Sequence, residues 1–118
     1  MIRTNSKKAR ENIRKYILDN YSPENYGLPE TTDFKTAAVN ILETFRAEKP
    51  YKTETLETFI EWSTGLPSIL DTCYYYNRSA VNDLGAILEE TDAEKSKYSE
   101  QDAERLLTIL IYRELTKA

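Results

Sequence analysis

The spacing of apolar residues between positions 34 and 45 is the strongest constraint on the fold. These residues recur at i, i+3, i+4, i+7, i+8 and i+11, and they are Phe34, Ala37, Ala38, Ile41, Leu42 and Phe45. The spacing places all of them on one face of an α-helix, which turns about 100° per residue. The pattern therefore predicts a helix that is capped by Thr32 or Asp33 and ends near Pro50.

The same spacing recurs along most of the chain and predicts further helices. They are expected over residues 6–21, 53–64 and 67–76, after a cap at Ser79, and after a cap at Ser99. With only 3 glycines and 4 prolines, the chain has few residues for the tight turns of a many-stranded sheet. A short strand is allowed only at 47–55.

The predicted fold is all-α, a single compact bundle of five or six short helices. One domain covers residues 1–118, and the order of a basic N-terminal arm over residues 1–8 is left open. Ile109 and Tyr112 lie opposite the main apolar face of the last helix. This predicts that the helix is central in the bundle. The alternative is that a partner covers this side, so the oligomeric state stays open.

The inventory of reactive residues excludes several classes of protein. There is no histidine, and Cys73 is the only cysteine. The absence of histidine excludes triads that contain it, and one thiol cannot supply the usual zinc ligands. A single cysteine forms no internal disulfide, and no signal peptide or long apolar run is apparent. We therefore expect a cytoplasmic protein without a membrane span, which is not an enzyme and has no catalytic residues, metal site or cofactor.

Charge is distributed unevenly along the chain. The formal net charge is −4, but the first fifteen residues are basic. Against Glu11 they hold Arg3, Lys7, Lys8, Arg10, Arg14 and Lys15. An acidic surface disfavours broad binding to nucleic acid, whereas a basic segment can contact phosphates.

Three consecutive tyrosines lie in the helix expected over residues 67–76. On a helical wheel, Tyr76 falls with Ile69 and Cys73, whereas Tyr75 falls on the other side with Asp71. This arrangement predicts that Tyr76 and Cys73 are largely buried, with Cys73 a structural thiol. Tyr75 is expected to be the most exposed tyrosine of the run, which begins at Tyr74.

Asp71, Tyr75 and Arg78 follow at i, i+4 and i+7, and Trp62 lies off the main apolar stripe of its own helix. One interpretation is a surface ion pair between Asp71 and Arg78, which contributes little to stability. The other is a patch that binds a protein partner, because Tyr, Trp and Arg are common interface anchors. Whether Trp62 and Tyr75 are adjacent stays open. The predicted patch consists of Trp62, Asp71, Tyr75 and Arg78.

A helix-turn-helix over residues 67–90 is the alternative interpretation, which makes the protein a small DNA-binding protein. A helix over 67–76, a break, and a helix from Ser79 have suitable lengths. Acidic residues in the second helix oppose this reading, because like charge near phosphates is costly. The expected nucleic-acid contacts are Arg3, Lys7, Lys8, Arg78, Ser79 and Asn82.

A remote alternative rests on the clustered carboxylates Glu89, Glu90, Asp92 and Glu94. All-helical nucleotide pyrophosphatases bind magnesium through clustered acidic residues. Such a site needs oxygen ligands that converge from different elements. Here the acids are nearly consecutive near a helix end, which argues against convergence.

The segments "FIEWSTGLPSILDTCYYYNRSAVNDLGAILEE" and "LLTILIYREL" resemble small uncharacterised proteins of phages, prophages and conjugative elements of Gram-positive gut bacteria. The similarity covers residues 10–116, with Trp62, "GLPS" and the tyrosine run as its most distinctive parts. The resemblance implies a cytoplasmic accessory protein of a mobile element and carries over no catalytic residue. By analogy, such a protein acts by binding a host or element protein, and this is the function we expect.

Overall fold

The computed structural model describes residues 1–48, 55–63, 69–71 and 78–118. These ranges confirm the all-α prediction, because they contain six α-helices and no strand. One turn of 3-10 helix, Pro23–Tyr26, follows the first α-helix. The α-helices are α1 (Lys7–Asn20), α2 (Phe34–Glu48), α3 (Leu56–Ser63), α4 (Ala80–Ile87), α5 (Asp92–Lys95) and α6 (Glu100–Thr116).

Four helices begin where the sequence predicted, and each of these starts carries a side-chain cap. In each, the side chain before the helix accepts a hydrogen bond from the backbone N–H three residues further on. That bond satisfies a donor which the helix itself leaves without a partner. Short local signals therefore predicted these starts correctly. The caps are Ser6, Asp33, Ser79 and Ser99.

The last helix, α6, is central in the described structure. It packs against α1, α2, α3 and α4. Ile109 and Tyr112, on the side away from its main apolar face, are half-buried, and the Tyr112 ring centroid lies 4.9 Å from that of Phe59. The prediction of a central last helix is therefore confirmed. No helix in the described ranges combines the length and the apolar content that crossing a bilayer requires.

An aromatic cluster joins α2 and α3. The Trp62 ring lies 5.4 Å from the Phe45 ring and 5.6 Å from the Phe59 ring, measured between centroids. Trp62 is only 1% exposed, and its Nε1 donates to Glu48 Oε2 at 2.7 Å. The Trp62 ring is therefore packed in the core, and its single hydrogen-bond donor has a partner within the protein.

The helix expected over residues 67–76 is wrong at residues 69–71, which are extended. Leu70 forms an isolated antiparallel bridge with Tyr21. On either side of it, Ser22 N donates to the Ile69 carbonyl at 2.6 Å, and Asp71 N donates to the Asn20 carbonyl at 2.7 Å. The backbone groups of this segment thus pair with the chain that leaves α1. Residues of a helix would pair within their own segment.

Several sequence predictions fall outside the described residues. The run Tyr74–Tyr76 and Cys73 belong to residues 72–77, so their predicted burial stays a prediction. The short strand allowed at 47–55 lies mostly in residues 49–54, and its first two residues end α2.

The short helix α5 was not predicted from the sequence, and a local capping motif stabilises its start. Thr91 Oγ1 accepts from Glu94 N at 3.2 Å, while Glu94 Oε1 accepts from Thr91 N at 3.1 Å. This reciprocal pair is a capping box. The side chain of Lys95 then crosses Gly85 of α4 so closely that a Cβ atom there would overlap it. The missing side chain at Gly85 therefore lets α5 pack against α4.

Candidate interaction surface around the first helix

The predicted four-residue patch is not formed as expected, because Trp62 belongs to the core. Its ring is enclosed by Phe45 and Phe59, so it presents no surface to a partner. Tyr75 lies outside the described residues. Of the predicted set, the structure brings Asp71 and Arg78 together.

Arg78 contacts Asp71 through the main chain, so the expected ion pair between the two side chains is wrong. Arg78 Nη2 donates to the Asp71 carbonyl oxygen at 3.0 Å and to Asn20 Oδ1 at 2.7 Å. Its carboxylate neighbour is Asp83, with Oδ2 at 3.6 Å. The helical wheel failed here because residues 69–71 are extended and meet the end of α1.

Tyr16 connects Arg78 to α4. Its hydroxyl donates to Asp83 Oδ2 at 2.8 Å and accepts from Arg78 Nη2 at 3.3 Å. Asn20 Nδ2 donates to the Tyr16 carbonyl at 2.8 Å, which fixes the amide that holds Arg78. Sequence reasoning missed the roles of Tyr16, Asn20 and Asp83. The usable signal was a tyrosine beside the apolar stripe of α1, because its hydroxyl needs a partner when its ring is packed.

A groove of about 390 Å³ runs between α1 and α4, beside this network. Asn12 Nδ2 donates to the Ile87 carbonyl at 2.8 Å and so ties α1 to the end of α4. Apolar and charged groups of both signs line the groove. The lining residues are Lys8, Asn12, Lys15, Tyr16, Asp19, Asp83, Ala86, Ile87 and Glu89.

The other flank of α1 carries a buried ion cluster with α6. Glu114 is 0% exposed, and its carboxylate accepts from Arg10 Nε at 3.3 Å and from Arg14 Nε at 3.0 Å. The Arg14 guanidinium also lies 4.8 Å above the centroid of the Phe34 ring. A buried carboxylate needs such partners, because burial without them is costly. No local sequence pattern indicates that Glu114 is buried, because its burial depends on how α1 docks.

The N-terminus of α4, where the DNA-binding alternative placed Ser79 and Asn82, is occupied by a carboxylate. Ser79 Oγ donates to Glu100 Oε1 at 2.5 Å, and Ala80 N donates to Glu100 Oε2 at 2.8 Å. The bond from Ser79 is the main reason why the pKa of Glu100 lies below its ordinary value. A phosphate would meet this negative charge. Residues 69–71 are also extended, so the first helix of the predicted helix-turn-helix over 67–90 is absent there, and residues 72–77 lie outside the described part of the chain.

The basic residues of the N-terminal segment lie on different sides of α1. Lys8 lines the groove, whereas Lys7 lies with Arg10 and Arg14 on the other flank of α1. Arg3 is exposed in an arm that is fixed by hydrogen bonds. Within that arm, Ile2 N donates to the Leu88 carbonyl at 2.9 Å, and the Thr4 carbonyl accepts from Arg113 Nη2 at 2.7 Å.

The acidic residues of the magnesium alternative have separate partners. Glu94 belongs to the capping box, and Asp92 pairs with Lys95 at 3.2 Å. Glu90 Oε2 accepts from the Tyr98 hydroxyl at 3.2 Å. Burial, followed by the charge of Glu90, raises the pKa of Tyr98. Among the described residues, no three acidic, cysteine or histidine side chains are grouped so that they could hold a metal ion.

Comparison of the chain with protein-family models, with curated proteins and with solved structures gave no match.

Proposed function

We propose that the protein is a non-catalytic accessory protein of a mobile genetic element, which acts in the cytoplasm by binding a host or element protein. The resemblance of the sequence to proteins of phages, prophages and conjugative elements supports the mobile-element part of the proposal. The groove between α1 and α4, beside the network of Arg78, Tyr16 and Asp83, is the observation that carries the binding part.

The composition of the groove suits recognition of a protein. Tyr16 and Ala86 offer aromatic and aliphatic surface, and Lys15 and Asp19 offer charges of opposite sign. Protein interfaces combine apolar or aromatic anchors with a polar rim in this way. Hydrogen bonds already hold Tyr16 and Asp83 in place, so a partner would lose less binding free energy to ordering these side chains.

The same bonds favour binding over catalysis. A general acid or base must exchange a proton with a substrate. In the groove, Asp83 accepts from the Tyr16 hydroxyl and lies 3.6 Å from Arg78. These groups are therefore engaged with one another, and their arrangement supports a fixed polar surface.

Site-specific photo-crosslinking in a Gram-positive gut bacterium tests the proposal. A photoreactive amino acid replaces Lys15 in the groove, and in a matched control it replaces Gln101, an exposed residue at the start of α6. We expect one discrete crosslinked protein from position 15 and none from position 101. An additional Ala86→Arg substitution, which fills the groove from α4, is expected to abolish this product.

Ala86 is exposed on a helix, and arginine is a good helix former, so the folded state should be retained. Circular dichroism verifies that. Crosslinking that is equal at both positions, or that survives Ala86→Arg, would contradict binding through the groove.

A further inference from the structure

Within the described residues, the side chains of Arg10 and Arg14 each donate hydrogen bonds to the protein through a single nitrogen atom, Nε. Every hydrogen bond that the described part of the chain provides to them runs from Nε to the carboxylate of Glu114. A guanidinium carries five N–H donors, four of them on the two Nη atoms. The side chains are 41% and 39% exposed, so water or a ligand can reach them.

Both guanidinium groups are therefore oriented before any ligand arrives. Glu114 is rigidly buried in α6 and fixes the Nε end of each, and the Phe34 ring supports the plane of Arg14. A planar guanidinium with free Nη groups matches a carboxylate or phosphate by paired hydrogen bonds. Because the side chains are already ordered, binding costs less conformational entropy than at two freely rotating arginines.

The local charge favours a ligand with few negative charges. Arg10 and Arg14 share a depression of about 200 Å³ on the surface of α1 with Lys7 and Glu11. Together with buried Glu114, the cluster holds three cations and two carboxylates. A nucleic-acid backbone needs an extended cationic surface for tight binding. A single carboxylate needs only the arginine pair, and Glu11 can accept a hydrogen bond from the same segment.

We infer that Arg10 and Arg14 form an anion-binding pair, positioned by Glu114, which takes a carboxylate side chain from an acidic segment of the protein partner. The inference rests on the proposed function and adds the chemistry of the partner. Arg10 and Arg14 lie on the flank of α1 away from the groove, so a partner that follows the exposed face of α1 could contact both.

Fluorescence anisotropy with a labelled ten-residue peptide of alternating Glu and Gly tests the inference directly. The same peptide with Gln in place of Glu is the probe control. We expect the Glu peptide to bind at least about tenfold more tightly than the Gln peptide, because only the carboxylates form charge-assisted bonds. Equal affinity of the two peptides would overturn the inference.

The variant Arg10→Lys, Arg14→Lys keeps both charges and removes the planar donors. It should weaken binding of the Glu peptide at least about fivefold, because an ammonium group cannot form the paired bonds. The matched control is Arg46→Lys, Arg105→Lys, the same exchange at two exposed arginines elsewhere, and it should leave the affinity unchanged. If both double variants behave alike, general charge attraction explains binding and the inference is wrong.

A measurement on the wild-type protein covers the case in which the Lys variant is poorly folded. The Nε–H signals of Arg10 and Arg14 in nitrogen-15 NMR spectra should move when the Glu peptide is added and stay in place with the Gln peptide. The positioning role of Glu114 is tested by Glu114→Met, which removes the acceptor of both Nε groups and should weaken peptide binding although no atom that contacts the peptide is changed. Stronger binding in this variant would show that charge attraction alone, and not positioning, holds the peptide. Unmoved arginine signals with a bound Glu peptide would place the site elsewhere.

Binding of a labelled DNA duplex to the protein is measured as the last control. Tighter binding of the duplex than of the Glu peptide, lost in Arg10→Lys, Arg14→Lys, would overturn the assignment to an acidic protein segment.

The two proposals can fail separately. A crosslinked partner at position 15 without binding of the Glu peptide removes only this inference. Binding of the peptide to the arginine pair without a crosslinked partner removes only the proposed function.

Discussion

The two flanks of α1 use polar groups in opposite ways. Towards α6, the carboxylate of Glu114 is fully buried and two arginines satisfy it. Towards α4, the Tyr16–Asp83 bond lies at the margin of a groove, where the Asp83 side chain is 23% exposed. Removing the partners of a buried charge is costly, whereas polar contacts near water contribute little. The first flank should therefore hold the bundle together, while the second contributes less to stability and presents ordered polar groups to a partner.

The largest expected effect comes from Arg10→Met, Arg14→Met, which leaves the Glu114 carboxylate buried without a cation. The free energy of unfolding, measured by urea denaturation, should fall by about 3–5 kcal/mol. The triple variant that adds Glu114→Met should recover most of this loss, because an apolar cluster of similar size replaces the buried charges. A loss below about 1 kcal/mol in the double variant would remove the contrast between the flanks.

The reverse change, Glu114→Gln, should cost less, about 2 kcal/mol. The amide oxygen still accepts from both Nε atoms, and the partly exposed arginines regain contact with water. Chemical denaturation of Glu114→Gln and of the arginine double variant compares the two losses in the free energy of unfolding. Equal losses would mean that the arginines, and not only the carboxylate, depend on the pairing.

On the α4 flank, Tyr16→Phe should lower the free energy of unfolding by about 1 kcal/mol, because it removes one partly exposed hydrogen bond to Asp83. The ring stays in place, so packing is preserved. Thermal and urea denaturation measure the loss. A value as large as that of the arginine double variant would show that this flank is also essential to the fold.

The smallest effect is expected from Glu100→Gln at the N-terminus of α4, about 0.5 kcal/mol near neutral pH, because a carboxylate favours a helix N-terminus. The bonds from Ser79 and Ala80 lower the pKa of Glu100 from its ordinary value of 4.5. Its contribution is therefore present above pH 4.5 and is lost as the pH falls through the lower value in the folded protein.

Unfolding measured between neutral and acidic pH should thus show a smaller acid loss in Glu100→Gln than in the wild type. Asp33 and Glu94, whose pKa values are lowered by bonds to Thr36 and Thr91, titrate in both proteins and serve as the internal reference. Identical pH profiles would show that the carboxylate of Glu100 does not stabilise α4.

The parts of the fold that sequence predicted are those set by local chemistry. Ser6, Ser79 and Ser99 each cap a helix, because each accepts a hydrogen bond from a backbone N–H only three residues further on. The apolar stripe from Phe34 to Phe45 likewise needs no knowledge of the rest of the chain. Neighbouring residues carry this information, so it can be read from the sequence before the fold is known.

The errors arise where the partner is distant in sequence. Leu70 is extended because it pairs with Tyr21, and no local pattern at residues 67–76 indicates that. The position of Trp62 off the apolar stripe of α3 predicts a place in a surface patch, yet Phe45 of α2 and Phe59 of α3 enclose its ring. The pairing of Arg10 and Arg14 with Glu114 was missed for the same reason. Nothing in the sequence around Glu114 distinguishes it from an exposed acidic residue, because its burial depends on the docking of α1.

The central position of α6 has a consequence for how the protein is made. A ribosome adds roughly 5–20 residues per second, so α1 to α4 are synthesised seconds before the helix against which all of them pack. During that interval the apolar faces of α1 and α2 lack their common neighbour, and the Glu114 that Arg10 and Arg14 require does not yet exist. The nascent chain therefore remains without its core until α6 emerges, and a chaperone that shields apolar helices would find its substrate in this interval.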